Sequence, residues 1–296
     1  MTRRGWVLFT LMAFLWGIPY LMIKVAVEGV STPVLVFART AVGAAILLPL
    51  ALRRGGLRPL VPYWRPLLAF AVIEIVVPWW LLADAERHLT SSLTGLLIAA
   101  SPIVGVVVAR LTGAGEQLGT VRWVGLGVGL VGVVVLAGPG LTGGDPWAIV
   151  EVLVVAVCYA TAPQIAARKL ADVPSLPMTA ACLGFAALVY AVPAGLTWPS
   201  ALPSTPVLAA LAGLALFCTA LAFLVFFALI REVGTSRALV FTYVCPAVAV
   251  TAGVLLLAEP LTVAIVVSFV LILAGSVLAT AARKAKQEQP VPAVPA

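Results

Sequence analysis

The sequence predicts an all-α membrane protein of ten transmembrane helices, built as two inverted five-helix repeats with both termini cytoplasmic. Three observations lead there. Mean hydropathy is +1.17 and only 10% of residues are charged, whereas soluble domains carry about 25% charge. The apolar runs are continuous and near twenty residues long, which suits helices, while barrel strands alternate over about ten. Finally, the prolines of the first half recur in the second at a constant spacing.

Turns rich in Pro, Gly and Ser divide the chain into helices expected at 6–28, 33–52, 66–86, 90–111, 119–138, 146–167, 175–196, 206–230, 235–257 and 261–282. The first run, from Trp6, is over twenty residues long and is followed by no cleavage site, so it reads as a span and not a leader. Helices 1–5 form a first repeat over 1–138 and helices 6–10 a second over 146–282. The tail at 283–296, with its "KAKQEQPVPAVPA", reads as a disordered cytoplasmic end.

Charge sets the orientation. Fifteen of the 18 Lys and Arg residues fall on the N-terminal side: Arg3, Arg4, Arg53, Arg54, Arg58, Arg65, Arg110, Arg122, Arg168, Lys169, Arg231, Arg237, Arg283, Lys284 and Lys286. The positive-inside rule makes that side cytoplasmic. The net charge of +7 is thereby a topology signal, and nucleic acid is not an expected partner. Cys158, Cys182, Cys218 and Cys245 all lie within helices and read as apolar fillers. With a single histidine, His88, there is no metal-ligand spacing, and neither metal nor cofactor is expected.

Shifting the chain by 144 places Pro19 on Pro163, Pro33 on Pro177, Pro49 on Pro193, Pro59 on Pro203, Pro62 on Pro206 and Pro102 on Pro246. Ser91 and Ser92 meet Thr235 and Ser236. After a one-residue slip, "EQL" at 116–118 meets "EPL" at 259–261. A unit of five spans, an odd number, makes the two copies run in opposite directions, the plan of many secondary transporters.

Pro19, Pro102, Pro163 and Pro246 fall inside helices 1, 4, 6 and 9. Each removes a backbone hydrogen bond at a cost of about 3 kcal/mol in an ordinary helix. Such costs are tolerated where interrupted helices line a central cavity, or where prolines merely kink a packed helix. The first reading is taken for two symmetric pairs. Side chains near the four breaks, Trp16, Tyr20, Trp79, Trp80, Ser101, Tyr159, Gln164, Thr242 and Tyr243, are then the expected substrate-binding lining. They are aromatic, with a few neutral polar groups, and suit small apolar or zwitterionic solutes. Trp79 and Trp80 suit an interfacial belt equally well.

Among the embedded charges, Lys24 and Arg39 lie toward the side opposite the termini with Glu151, and an ion-pair network sealing that side is expected, with substrate contact as the alternative. Glu74 is about 12 Å into helix 3, near the midplane. A carboxyl there is a candidate coupling site, as a proton carrier or as partner to a cargo amine; a protonated carboxyl bonded to a neighbouring helix is the plain alternative. Gly125, Gly127, Gly129 and Gly132 form a small-residue face on helix 5, expected to pack the two halves together.

"WG" at 16–17, Lys24, "FART" at 37–40, "SSLTGLLIAASP" at 91–102, "GEQL" at 115–118, "GLVG" at 129–132 and "GTSRALVFTYVCPAVAVTAGVLLLAEPL" at 234–261 resemble two EamA domains of the drug/metabolite transporter superfamily. Within it the chain is similar to bacterial inner-membrane exporters of amino acids, aromatic ones included, and of metabolites. The resemblance implies alternating access, with helices 1, 3, 4, 6, 8 and 9 around the cavity and helices 5 and 10 peripheral. Helix 6 departs from the pattern, with "YATAP" in place of "WG". The expected function is therefore secondary export of aromatic or hydrophobic amino acids and related metabolites by a monomer in the bilayer, with no enzymatic activity. Efflux of lipophilic cations is the near alternative, and a channel or an intramembrane enzyme the distant ones.

Overall fold

In the computed structural model, residues 1–111, 119–143 and 145–280 are described, and every regular element among them is helical. Glu116 and the tail over 283–296 lie outside the described residues. Ten helices there are long and apolar enough to cross a membrane: Arg3–Ala26, Thr32–Arg53, Arg58–His88, Ser91–Val108, Thr120–Gly138, Pro146–Lys169, Ser175–Leu196, Thr205–Val233, Leu239–Leu257 and Val263–Thr280. We number them α1 to α10. The third starts earlier than the sequence suggests, because Arg58–Tyr63 winds a 3₁₀ segment that holds Pro59 and Pro62.

The helix starts follow local chemistry. Orphan N–H groups of a first turn need acceptors. Thr2 accepts from Gly5 N, Thr90 from Leu93 N and Asp145 from Trp147 N.

The dominant helix pairs are α2 with α7, α5 with α10, α4 with α9, α3 with α6 and α1 with α8. Exchanging every helix for its counterpart five places on leaves this set unchanged, as a two-fold between the halves requires. Connections also meet by parity. Thr2 at the start of α1 donates to Glu232 at the end of α8, 2.6 Å away. On the opposite face Ser31 meets Thr197 at 2.7 Å and His88 meets Asp145 at 3.6 Å. The chain therefore crosses with every span, and the two halves point opposite ways.

Three of the four expected breaks are present. α1 is interrupted at Ile18 before Pro19, α4 at Ala99 and Ala100 before Pro102, and α9 by a 3₁₀ segment at Leu239–Tyr243 before Pro246. In each, proline takes the first or second position of the following segment, where its missing N–H costs nothing. α6 corrects the fourth expectation: it runs unbroken over Pro146–Lys169 through Pro163, which is exposed. Thr161 and Gln164 donate to the carbonyls of Val157 and Ala160 around it, at 2.7 and 3.1 Å. Nothing forces α6 open, whereas Gly17 lets α9 press against the break in α1: a Cβ there would lie 2.5 Å from Val248.

The symmetric irregularity is instead a pair of π turns, Val72–Val76 in α3 and Leu216–Leu221 in α8, which start at repeat-equivalent positions. Such turns free a carbonyl from the helical ladder and recur at functional sites. Tyr190 from α7 donates to Val76 O at 2.7 Å, and Thr219 donates to Leu214 O at 2.8 Å.

α5 and α10 form the tightest seam. A Cβ on Gly125 would collide with Ala279 N, and one on Gly132 would lie 2.9 Å from Ile272 N. Substituting Gly125→Leu is expected to lower the detergent melting temperature by several degrees. Overpacking costs about 1–3 kcal/mol, so an unchanged melting temperature would show the seam to be slack.

Candidate functional site

Arg39 anchors the site. Its position in α2 leaves it 7% exposed, and burying a guanidinium demands partners. Nε donates to Thr219 Oγ1 at 2.8 Å, and Cζ stands 3.7 Å from the centroid of the Trp79 ring. The first contact joins the two halves and depends on the π turn of α8, which points Thr219 inward. The second is a cation–π stack, a contact a planar guanidinium makes well. Nη1 and Nη2 donate to nothing among the described residues, and neither is sealed from access.

Tyr20 of α1 and Tyr159 of α6 lie within electrostatic reach of this guanidinium and of each other. Glu74, in the π turn of α3, also lies within electrostatic reach of Tyr159. Its carboxylate makes no hydrogen bond among the described residues and faces Tyr159, Cys158 and Cys182. Tyr20, Tyr159 and Glu74 are each half-buried. Arg39, Tyr20 and Glu74 thus each lie within electrostatic reach of Tyr159, with Trp79 stacked on Arg39. The arrangement can hold a solute with both charges and an apolar body.

The remaining lining candidates lie elsewhere or are tied locally. Trp16 packs with Phe223, Phe226 and Phe241 at 5.8, 5.1 and 5.5 Å. Trp80 stacks on Tyr190 at 5.6 Å. Ser101, Gln164 and Thr242 each donate to a carbonyl of their own helix, Ile98 O, Ala160 O and Leu239 O. Tyr243 pairs with Thr280 on α10 at 2.7 Å.

The expected ion-pair network of Lys24, Arg39 and Glu151 is corrected. None of the three forms a salt bridge among the described residues. Lys24 donates from Nζ to the carbonyls of Glu86 and Leu89, at 2.7 and 2.8 Å. The C-terminal carbonyls of α3 lack intrahelical partners and carry the negative end of its dipole, so they take a lysine readily. Arg39 lies deeper, on Trp79. Glu151 faces Asp84, Asp145 and His88. Among the described residues on this face, Arg87 pairs with Asp84 at 3.9 Å, and His88 Nδ1 lies 3.6 Å from a carboxylate oxygen of Asp145.

A second arrangement was not legible beforehand. Glu259, at the end of α9, reaches across to the first turn of α4 in the other half. One carboxylate oxygen accepts from Ser91 N and Oγ at 2.7 and 2.9 Å, the other from Ser92 N and Oγ at 3.0 and 2.5 Å. A carboxylate at a helix N-terminus is favoured by the orphan N–H groups and the dipole. Ala258 turns Glu259 into place with φ 52°, a left-handed conformation that no other non-glycine among the described residues adopts. Such strain costs about 1–3 kcal/mol and persists where surroundings enforce it. Gly253 lies directly beneath, with no room for a Cβ beside Glu259 and Ser92. The signal available was an acidic residue after one span and paired serines opening another.

Known proteins agree with this architecture. The sequence profile of the EamA-like transporter family matches residues 3–138 and 146–281. The "Uncharacterized inner membrane transporter YedA" of Escherichia coli (strain K12) is 31% identical over 250 residues, 81% of this chain and 78% of that protein. The "Uncharacterized transporter YvbV" of Bacillus subtilis (strain 168) is 26% identical over 287 residues, 95% and 92% of the two chains. A solved crystal structure superposes with a TM-score of 0.67 at 21% identity, over 93% of this chain and 96% of that one, which speaks to the fold alone. Two matched copies and ten spans arranged as inverted halves make this chain a multi-pass membrane protein that belongs to the EamA-like transporter family.

Proposed function

We propose that the protein is a secondary exporter of amino acids, aromatic or hydrophobic ones foremost, working by alternating access as a monomer in the bacterial inner membrane with both termini cytoplasmic. The observation that carries this reading is the Arg39 guanidinium, stacked on Trp79 with no partner for Nη1 or Nη2 among the described residues, together with Tyr159, which lies within electrostatic reach of both Arg39 and the Glu74 carboxylate. A cargo carboxylate suits the Arg39 fork, since guanidinium and carboxylate match bidentately. The cargo amine suits Glu74, and an apolar side chain suits the rings of Tyr20, Trp79 and Tyr159. Inverted halves exchange conformations to open each face in turn.

Counterflow in proteoliposomes with labelled amino acids tests the proposal. Exchange of phenylalanine, tryptophan or leucine is the expected result, and uptake of none would overturn it. Glu74 and the aromatic rings also suit a lipophilic cation; movement of such a cation with no amino-acid exchange would establish that second reading. Glu74→Gln is expected to raise KM for zwitterionic cargo about tenfold, the effect of about 1.4 kcal/mol, and to leave carboxylates without an amine unaffected. Equal loss for both would remove Glu74 from amine recognition.

A further inference from the structure

Glu86, near the end of α3, is fully buried, and neither carboxylate oxygen has a hydrogen-bond partner among the described residues. Its surroundings explain why none is offered. From α1, Lys24 is the nearest cation, and its Nζ is held by the carbonyls of Glu86 and Leu89. From α1 also comes Tyr20. From the connection after α9 comes Glu259, whose two oxygens already accept four hydrogen bonds from Ser91 and Ser92. α4 contributes those two serines, both committed to Glu259. On α3 itself Asp84, Arg87 and His88 pair elsewhere, and Glu151 of α6 lies within electrostatic reach of Asp84, His88 and Asp145.

Two carboxyls and one ammonium thus share a neighbourhood in which Glu86 is fully buried. An unpaired buried charge is among the costliest features a protein can hold. The cluster is neutral when Lys24 is charged, Glu259 is charged and Glu86 carries a proton. Glu259, with four donors, is the one of the two suited to the charge. An opening of this face that broke the Glu259 contacts and let water reach Glu86 would solvate its charged form.

We propose that Glu86 is a proton-binding site linked to the Glu259 lock: closing the face opposite the termini takes up one proton on Glu86, and opening releases it to water. On closure an O–H bond forms on the Glu86 carboxylate, with the proton taken from water on that face. Closure is then favoured by acid. Linkage makes the closed-to-open ratio change by up to tenfold per pH unit between the open-state and closed-state midpoints. The inference rests on the alternation of the proposed function and not on the cargo.

The test uses the full chain in nanodiscs, with its four cysteines replaced and spin labels at Glu28→Cys and Leu261→Cys, exposed positions in opposite halves on the locked face. Pulsed electron resonance reads the label separation against pH. The expected result is two populations, the shorter growing as pH falls, and a Glu86→Gln variant that stays short at every pH. A wild type with two populations in constant proportion across pH overturns the proton site, as does a Glu86→Gln variant that titrates like the wild type or stays open. A single distance under all conditions, saturating cargo included, overturns the alternation itself. Should Glu86→Gln fail to assemble, Glu86→Asp must titrate with a displaced midpoint. Infrared spectra in a Glu74→Gln background must then show a protonated-carboxyl stretch that strengthens with acid, and its absence overturns the proposal.

Discussion

Lysine in place of Arg39 will reduce counterflow of carboxylate cargo by about a hundredfold in kcat/KM, the loss expected from about 3 kcal/mol. Charge is retained in Arg39→Lys, so the effect isolates geometry. An ammonium has no Nε to reach Thr219 Oγ1 while leaving two parallel donors free, and no plane to lie on Trp79. The lysine therefore loses both the contact that bridges the halves and the fork that meets a carboxylate. Arg39→Ala is expected to be worse for transport, because the proposed cargo carboxylate would then enter the site without a compensating cation. Melting temperature in detergent separates this from misfolding: Arg39→Lys is expected to melt within a few degrees of the wild type. Counterflow at the wild-type rate in a folded Arg39→Lys protein would remove Arg39 from cargo recognition.

The second large effect is on the lock. Hydrogen bonds to a charged group contribute about 1.5–3 kcal/mol each when buried, and Glu259 accepts four of them from the opposite half. Glu259→Ala removes every acceptor and leaves the first turn of α4 unsatisfied. The closed state is expected to fall from the majority to a minority in the same spin-label measurement, a shift of about a hundredfold or more in the equilibrium. Glu259→Gln will be intermediate, since one amide oxygen still accepts while its NH₂ faces serine donors. Ser92→Ala will be mild, because the backbone N–H of Ser92 keeps its acceptor. An unchanged distance distribution in Glu259→Ala would show that apolar packing between α4 and α9 closes this face by itself.

Much of this molecule is written locally. Ten spans follow from hydropathy alone, because a bilayer demands about twenty apolar residues per crossing. The duplication follows from prolines at constant spacing, and opposite directions follow from five being odd. The glycines of α5 announced a close seam because small side chains have little other use on an apolar helix. Pro163 shows where local reading fails. Its match with Pro19 implied a second break, yet α6 is continuous. A proline decides which hydrogen bond is missing; neighbouring helices and side chains decide whether the helix then opens.

The candidate site was legible in its residue types and not in its pairings. Rise per residue gives Arg39 a depth, but not a partner. Distance along α2 suggested carboxylates near one face; packing supplied Trp79 and Thr219 instead. The π turns left no mark in the sequence, for they need neither proline nor glycine, and they point Thr219 inward and carry Glu74. Glu259 stood out only as part of a repeat. By itself, then, the sequence determined the crossings, the doubling and the opposed halves, since each depends on composition and spacing along one chain. Only the tertiary structure decided that Arg39 meets Trp79, that Glu259 bridges to α4 and that Glu86 is left unpartnered. Those contacts join residues distant in the chain, and their energies exist only once two helices have excluded the water between them.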